Sequence, residues 1–350
     1  MRILLTGSFG NIGKNVLRLL LESGYRVRCF DIDTDRNRKV FESFSSHPWN
    51  ARRIEIFWGD IRNHEDLLKA TDDVQGIIHL AAVIPPSSEK NPETAHAINV
   101  EGTGHLIRAA EALDPRPTFI FTSSVSVYGP RMSDPPPRTT EDPVNPTDHY
   151  SSHKVECEGM LRESGLPWTV LRVAAVSVSK VNGSMDPILF EIPLDQRIEF
   201  VHSRDVARAC VNSLTEDVAH RVLHVGGGNG SQMLQRDFLI RILGATGLGM
   251  FPESAFLVPE NDSDWFYTDY MDTEEAQALL HYQAYTFDDY LEELSRKLGA
   301  RRAVARFLGP ALRLYFSCKS PYFRAHWKRR LGLGERGGTV GERDGSNIER

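Results

Sequence analysis

Cysteine is scarce in this 350-residue chain: Cys29, Cys157, Cys210 and Cys318, with no C-x-x-C pair among them. That spacing suggests neither a metal site nor a disulfide framework, and makes a reducing compartment the simpler setting. No run of about 18 apolar residues occurs, so no transmembrane helix is expected. Met1 leads straight into a strand pattern, and Arg2-Ile3-Leu4-Leu5 is too short for the apolar core of a signal peptide, so a cytoplasmic setting is expected. An excess of positive charge is missing too. The net charge of −6 gives no general case for nucleic-acid binding. No internal repeat is found.

What is present is ordinary for a soluble globular protein: 41% hydrophobic and 25% charged residues, at a length sufficient for a real core. The charge is uneven, however. Residues 300–350 hold 12 Lys/Arg and 4 Asp/Glu, a basic tail of +8 on a body of −14.

Short apolar runs alternate with amphipathic stretches over the first 130 residues. Strands are expected at Ile3–Thr6, Tyr25–Phe30, Arg53–Trp58, Gly76–Ala81 and Thr118–Ser123, with helices at Asn15–Glu22 and roughly Glu93–Leu113. This alternation implies right-handed βαβ units, hence a doubly wound parallel α/β sheet of the Rossmann type. Six prolines between Pro130 and Thr147 mark a loop. A helix over about His149–Ser164 and a strand over Trp168–Val173 follow. Further on, a strand end at Phe200–His202, a helix at Asp205–Leu214, a strand at Val222–Val225, and helices at Gln232–Leu243 and Thr273–Leu280 are expected.

Thr6-Gly7-Ser8-Phe9-Gly10-Asn11-Ile12-Gly13 places G-x-x-G-x-x-G between the first strand and the first helix, the context a dinucleotide turn requires. Gly7 permits the tight turn, Gly10 lets backbone approach a pyrophosphate, and Gly13 lets the helix pack close. The helix N-terminus then offers free N–H groups to the phosphates. Asp31, ending the second strand, suits the adenine-ribose hydroxyls and would repel a 2′-phosphate, which favours NAD over NADP. Arg36 and Arg38 are the local counterweight. Asp60 and Ile61 follow the third strand, where adenine should lie. Leu80, Ala81 and Ala82 follow the fourth, where small side chains let the chain pass beneath a cofactor.

Tyr150-Ser151-Ser152-His153-Lys154 sits on a predicted helix, where i,i+4 spacing puts Tyr150 and Lys154 on one face. An ammonium beside a phenol should lower the tyrosine pKa and fit it for proton exchange with a substrate hydroxyl or carbonyl. Lys154 can also reach a nicotinamide ribose. Ser124, at the end of the fifth strand, can orient the same oxygen.

With these residues in place the chain resembles an extended short-chain dehydrogenase/reductase of the NAD-dependent epimerase/dehydratase family. The matching stretches are TGSFGNIG, Asp31, GDI at 59–61, IIHLAA at 77–82, NVEGT with Asn99, TSSVSVYG at 122–129, YSSHK, and VHSRDVARA at 201–209. The resemblance implies catalytic roles for Ser124, Tyr150 and Lys154, a cofactor contact for Asn99 and Val173, hydride transfer at a secondary alcohol or ketone, a small-molecule substrate and a homodimer. His79 and His202 are read as structural, and Asp205 as the cap of the helix that follows it.

The chain departs from the family's sugar-nucleotide members after the sixth strand. The stretch Arg172–Ser177 holds no asparagine, and none occurs before Asn182. The arginine expected to grip a diphosphate falls at Ile198, with Arg197 one position early, which on a strand turns the side chain to the other face. The apolar segment Met185–Leu194 would suit an alicyclic or steroid-like alcohol, or a lipid-like ketone, or would simply close the core. Three functions follow: an NAD-dependent oxidoreductase, a nucleotide-sugar epimerase or dehydratase with transient oxidation, and a non-catalytic NAD-binding sensor or structural protein.

The expected organisation is a Rossmann domain over 1–173, rejoined at about 198–224, and a smaller substrate-binding lobe from 174–197 and 225–297. A basic-aromatic extension over 298–331 and a disordered tail over 332–350 complete it. The extension reads either as a segment lying on an anionic membrane surface or as helices packed on the body or a dimer mate, with Pro310 and Pro321 expected to break a single long helix.

Overall fold

The computed structural model describes residues 1–47, 50–176 and 187–331. Ser177, Asn182, Met185, Asp186 and the 332–350 tail, on which some of these expectations fall, lie outside the described residues.

The first half runs β1 (Arg2–Thr6), α1 (Gly13–Glu22), β2 (Arg26–Asp31), α2 (Asp35–Ser45), β3 (Ile54–Trp58), α3 (His64–Thr71) and β4 (Gly76–His79). After β4 come α4 (Ser87–Lys90), α5 (Pro92–His96), a π-helical turn Ala97–Glu101, α6 (Gly102–Glu111), β5 (Thr118–Ser124), α7 (His149–Glu163) and β6 (Trp168–Val173). The second half runs β7 (Ala175–Val176), β8 (Arg197–Val201), α8 (Ser203–Asn212), β9 (Arg221–Val225), β10 (Gln232–Leu234), α9 (Gln235–Thr246), α10 (Glu274–Leu280), α11 (Phe287–Leu298), α12 (Arg301–Ser317) and α13 (Pro321–Arg330).

Seven strands form one sheet in the order β3-β2-β1-β4-β5-β6-β9, every neighbouring pair parallel. The chain moves outward from β1 to β3, then crosses back to β4 on the other side of β1. The β1/β4 boundary is thus the switch point, outside whose carboxyl ends ligands bind in such sheets. Apolar residues on both faces make two cores. Leu5, Leu17, Val27 and Ile120 lie in one, and Leu4, Ile77, Phe119 and Leu106 in the other. A second sheet, β10-β8-β7, carries the return from the apolar segment. Of residues 198–224, β8 pairs in this small sheet, while α8 packs on α1 and β9 joins the large one.

The strands predicted from β1 to β6 begin and end within two residues of the observed ones. The helix expected from Glu93 is interrupted by the π turn at Ala97–Glu101. Gln232–Leu234 is a strand rather than the start of a helix, because it pairs with Glu199–Arg197. Helices α2, α3 and α11 were not legible. α2 is polar, with Val40, Phe41 and Phe44 only partly buried against the first core. Pro310 does not break the tail: it lies inside α12. Its position is exposed, where water can take the carbonyl its missing N–H would have served. Pro321 does start a new helix, at the position where a missing N–H costs nothing.

Candidate active site

Gly7 has φ +65°, and a side-chain carbon there would meet Ala81 N at 2.9 Å. The β1 and β4 ends therefore touch backbone to backbone. Thr6 holds that contact: its Oγ1 accepts from Leu80 N and Ala81 N at 3.2 and 3.3 Å and meets His79 Nδ1 at 2.6 Å. His79 also meets Thr103 Oγ1 at 2.9 Å, and burial, aided by Lys154, lowers its pKa to about 3. It is a neutral strut, as read from the sequence.

Gly13 opens α1 directly above the turn. A Cβ there would lie 2.2 Å from Gly7 O. The helix has Ile12 at its N-cap with no side-chain cap, and no acidic residue in its first turn. Such a terminus is complementary to an anion. Phe9 points away into the core against Phe41 and Trp58, but its backbone N–H donates to Asp31 Oδ2 at 2.9 Å. Asn11 O accepts from Asn15 Nδ2. Asp31 Oδ1 accepts from Ile32 N and Asn37 Nδ2. Burial raises its pKa against these donors and Arg36. Arg38 is paired with Asp33 instead. Asp60, half-exposed beside the β3 end, pairs with Arg62, whose hydrogen bond holds its carboxyl below the usual range. Ile61 is buried in the second core, under Gly102. Leu80, Ala81 and Ala82 line the chain just past β4, partly exposed. Asn99, on the π turn, bridges this segment: Oδ1 accepts from Val83 N at 2.7 Å and Nδ2 donates to Val83 O at 2.9 Å. π turns recur at functional sites because they re-aim one side chain without ending the helix.

The other half of the site is α7. Its N-terminus is closed by an Asp148–Ser151 capping box, and Glu89 accepts from the backbone N–H of His149 and Tyr150. Two carboxylates at that end suit the helix dipole. The D-x-x-S spacing of the box was readable in the sequence, while Glu89, 60 residues away, was not. Lys154 is buried, donates from Nζ to Thr122 O at 2.7 Å, and lies 4.5 Å from the Phe121 ring centre and 5.5 Å from that of Tyr150. The helix is thereby fixed over the end of β5, two residues from Ser124. Ser124 caps the turn Val125–Tyr128, its Oγ accepting from Ser126 N and Ser126 Oγ. Val173 is buried at the adjacent β6 end.

The expected lowering of the Tyr150 pKa is not found. Burial, with Asp148 nearby, pushes the phenol up, while burial lowers Lys154 to about 8. Lys154 instead donates to the Thr122 carbonyl, and the burial that raises the phenol is not offset by it.

Beneath this pair lies a buried charge network that the sequence did not reveal. Arg172 grips both Glu158 oxygens, at 3.0 and 2.7 Å, and donates to Tyr128 OH at 2.6 Å. Ser123 donates to Glu158, and Tyr128 OH meets His224 Nε2. Burial alone would raise Glu158, but Arg172 and Ser123 outweigh it and hold the carboxyl below its usual range. The network ties α7 to β5 and β6 one helical turn past Lys154. His202 has the structural role read from the sequence, whereas Asp205 is not the helix cap it was expected to be. His202 caps α8 and accepts from Arg204 N, whereas Asp205 reaches out of the helix to accept from Ala284 N and Tyr285 N. Arg197 grips Asp269 at 2.5 and 2.9 Å and donates to the carbonyls of Arg131, Met132 and Asp134.

These residues fit a dinucleotide: a glycine cradle at the switch point, an anion-ready helix end, Asp31 at the ribose position, and the Tyr150–Lys154 pair across the cleft. A family model described as the NAD dependent epimerase/dehydratase family matches residues 3–226. The chain is 27% identical over 183 residues to a D-erythronate dehydrogenase of Cupriavidus necator, covering 51% of this chain and 56% of that protein. It is 33% identical over 131 residues to a 3-beta-hydroxysteroid dehydrogenase of Mycolicibacterium neoaurum, covering 36% of this chain and 32% of that one. The match thus spans about half or less of these relatives' length. The crystal structure of a dTDP-glucose 4,6-dehydratase from Streptomyces venezuelae, with NAD and TYD bound, superposes with a TM-score of 0.71 at 23% identity, covering 87% of this chain and 98% of that one. That likeness is one of fold.

Proposed function

Because the chain belongs to the NAD dependent epimerase/dehydratase family, we propose that it is an NAD-dependent oxidoreductase acting at a secondary alcohol or ketone. When bound, NAD supplies the hydride acceptor or donor. The glycine turn and the α1 N-terminus hold its pyrophosphate, and Asp31 accepts from its adenine ribose. Tyr150 exchanges the proton at the substrate oxygen, Ser124 hydrogen-bonds that oxygen, and Lys154 holds the ribose side of the cleft with its remaining donors.

Arg197 carries the choice among the family's reactions. A sugar-nucleotide substrate needs a cation for its diphosphate. Arg197 has its guanidinium taken by Asp269 and three carbonyls. This favours a less charged substrate. Phe190 and Leu194 are buried with Phe251 and Phe256, so of the two readings of the apolar segment they support closing the core. A cytoplasmic setting, supported by four free cysteines, belongs to the same proposal. So does self-association through the α7 face, which rests on family analogy alone.

The test is turnover. A panel of alicyclic and steroid alcohols should yield net NADH, and Tyr150→Phe should lower turnover at least ~10²-fold with NAD affinity near wild type. Sugar-nucleotide conversion without net NADH would establish the epimerase or dehydratase reading instead. Undiminished turnover in Tyr150→Phe would sink the mechanism.

A further inference from the structure

Helix α12 has its apolar stripe on the wrong side for a helix packed on a body. Val304, Phe307, Leu308, Ala311, Leu314 and Tyr315 recur at spacings of three and four, so they share one face. All six are exposed, Phe307 at 85%, Leu314 at 58% and Tyr315 at 57%. The opposite face does the packing. Leu312 and Phe316 lie against the cluster of Phe190, Phe251 and Phe256, and Arg313 donates to Leu248 O at 2.6 Å. α13 extends the outer patch. A shallow cavity of about 290 Å³ opens among Leu314, Phe323, Trp327 and Leu331, rimmed by Arg324 and Lys328. Trp327 is 42% exposed and Leu331 60%.

The charge on these two helices is of one sign. Residues 301–331 hold nine Lys/Arg and no Asp/Glu. Lys319 lies 4.7 Å over the Tyr315 ring and Arg330 5.9 Å over that of Trp327, so cations border the exposed aromatics. An apolar stripe with interleaved aromatics and a cationic border matches an anionic bilayer surface, where the rings enter the headgroup boundary and the cations meet lipid phosphates. No helix among the described residues is long and apolar enough to cross a membrane, so the contact would lie on the surface. A second copy is a poorer partner, since a two-fold contact would press two such cationic faces together. Residues 332–350 offer only Leu333, Val340 and Ile348 as large apolar side chains, too few to cover the stripe.

We infer that the outer face of α12 and α13 docks this protein on an anionic lipid surface. The docking is independent of the proposed reaction, and its test needs no substrate. The full chain is floated with vesicles of phosphatidylcholine alone or with ~30 mol% phosphatidylserine. Binding to the anionic vesicles only is expected, weakened in ~1 M salt, where the screening length is about 3 Å. Phe307→Glu combined with Leu314→Glu should weaken partitioning at least ~10-fold. Both positions are exposed, so the melting temperature should not move. Absence of binding to anionic vesicles would overturn the inference, as would equal binding to neutral ones. Self-association of the wild type that the double substitution abolishes would overturn it in favour of a second copy.

Discussion

Asp31 illustrates how one side chain serves two tasks. Its Oδ2 fixes the glycine turn through Phe9 N–H, and its Oδ1 accepts from Asn37, on the side where the ribose of the proposed NAD would sit. A 2′-phosphate would meet this carboxylate at close range, with Arg38 already paired to Asp33. Wild-type protein is therefore expected to bind NAD more tightly than NADP. Asp31→Asn should narrow that preference about tenfold by removing the repulsion while keeping an acceptor. Titration of both dinucleotides checks this, and tighter NADP binding by the wild type would refute the role given to Asp31. Glu199 offers a second test. It is buried and accepts from Gly228 N, Gln232 Nε2 and Met271 N, yet burial raises its pKa from 4.5 to about 7. A carboxyl raised in the fold binds its proton more tightly there than in the unfolded chain. Its contribution is complete below about pH 4.5 and is lost as pH rises through 7. The stability of wild type relative to Glu199→Gln should therefore fall by about 3 kcal/mol between pH 4.5 and 7.5. Urea melts across that range measure it, and a flat difference would mean that Glu199 is ionised throughout.

At the scale of elements, the site depends on how closely α1 meets the β1 turn. Gly13→Ala would place a carbon 2.2 Å from Gly7 O and 2.7 Å from Ser8 O. Both are backbone atoms, so no rotamer change relieves the clash and the helix must move off the turn. A loss of about 1–3 kcal/mol in stability and at least a tenfold loss in NAD affinity are expected. Gly10→Ala is the control for stability only, its nearest contact being Gly7 O at 3.3 Å, since Gly10 itself is placed against the pyrophosphate. Calorimetry on the three proteins decides it. β1, the glycine turn and α7 were legible because local spacing alone defines them. α2 was not, because it buries little, and α3 was not, because it spans only His64–Thr71, too short to show a period. α11 was missed despite the capping box between Thr286 and Asp289 that starts it.

For the whole molecule, the tail is the least predictable part. α13 is held by Phe323, buried against Phe190, Phe251 and Phe256, and by Ser320 Oγ, which donates to Ala255 O at 2.6 Å. Phe323→Ala removes most of that anchor, a change of about 3 kcal/mol for a buried ring at an edge. Amide exchange over residues 301–330 should accelerate while the seven-stranded sheet keeps its protection. Acceleration in the sheet as well would mean that the tail belongs to the main folding unit.

By itself the sequence determined the alternating α/β order, the glycine turn, and the Ser124, Tyr150 and Lys154 set. The strand–helix order, the glycine turn and the Tyr150/Lys154 pair are written in neighbours a few residues apart, and Ser124 enters through its place at a strand end. Only the tertiary structure decided what those residues meet. Lys154 finds the Thr122 carbonyl, the Tyr150 phenol rises rather than falls, Arg197 is captured by Asp269, and α12 turns its apolar stripe outward. Those outcomes depend on burial and on partners tens of residues away, which no local spacing encodes.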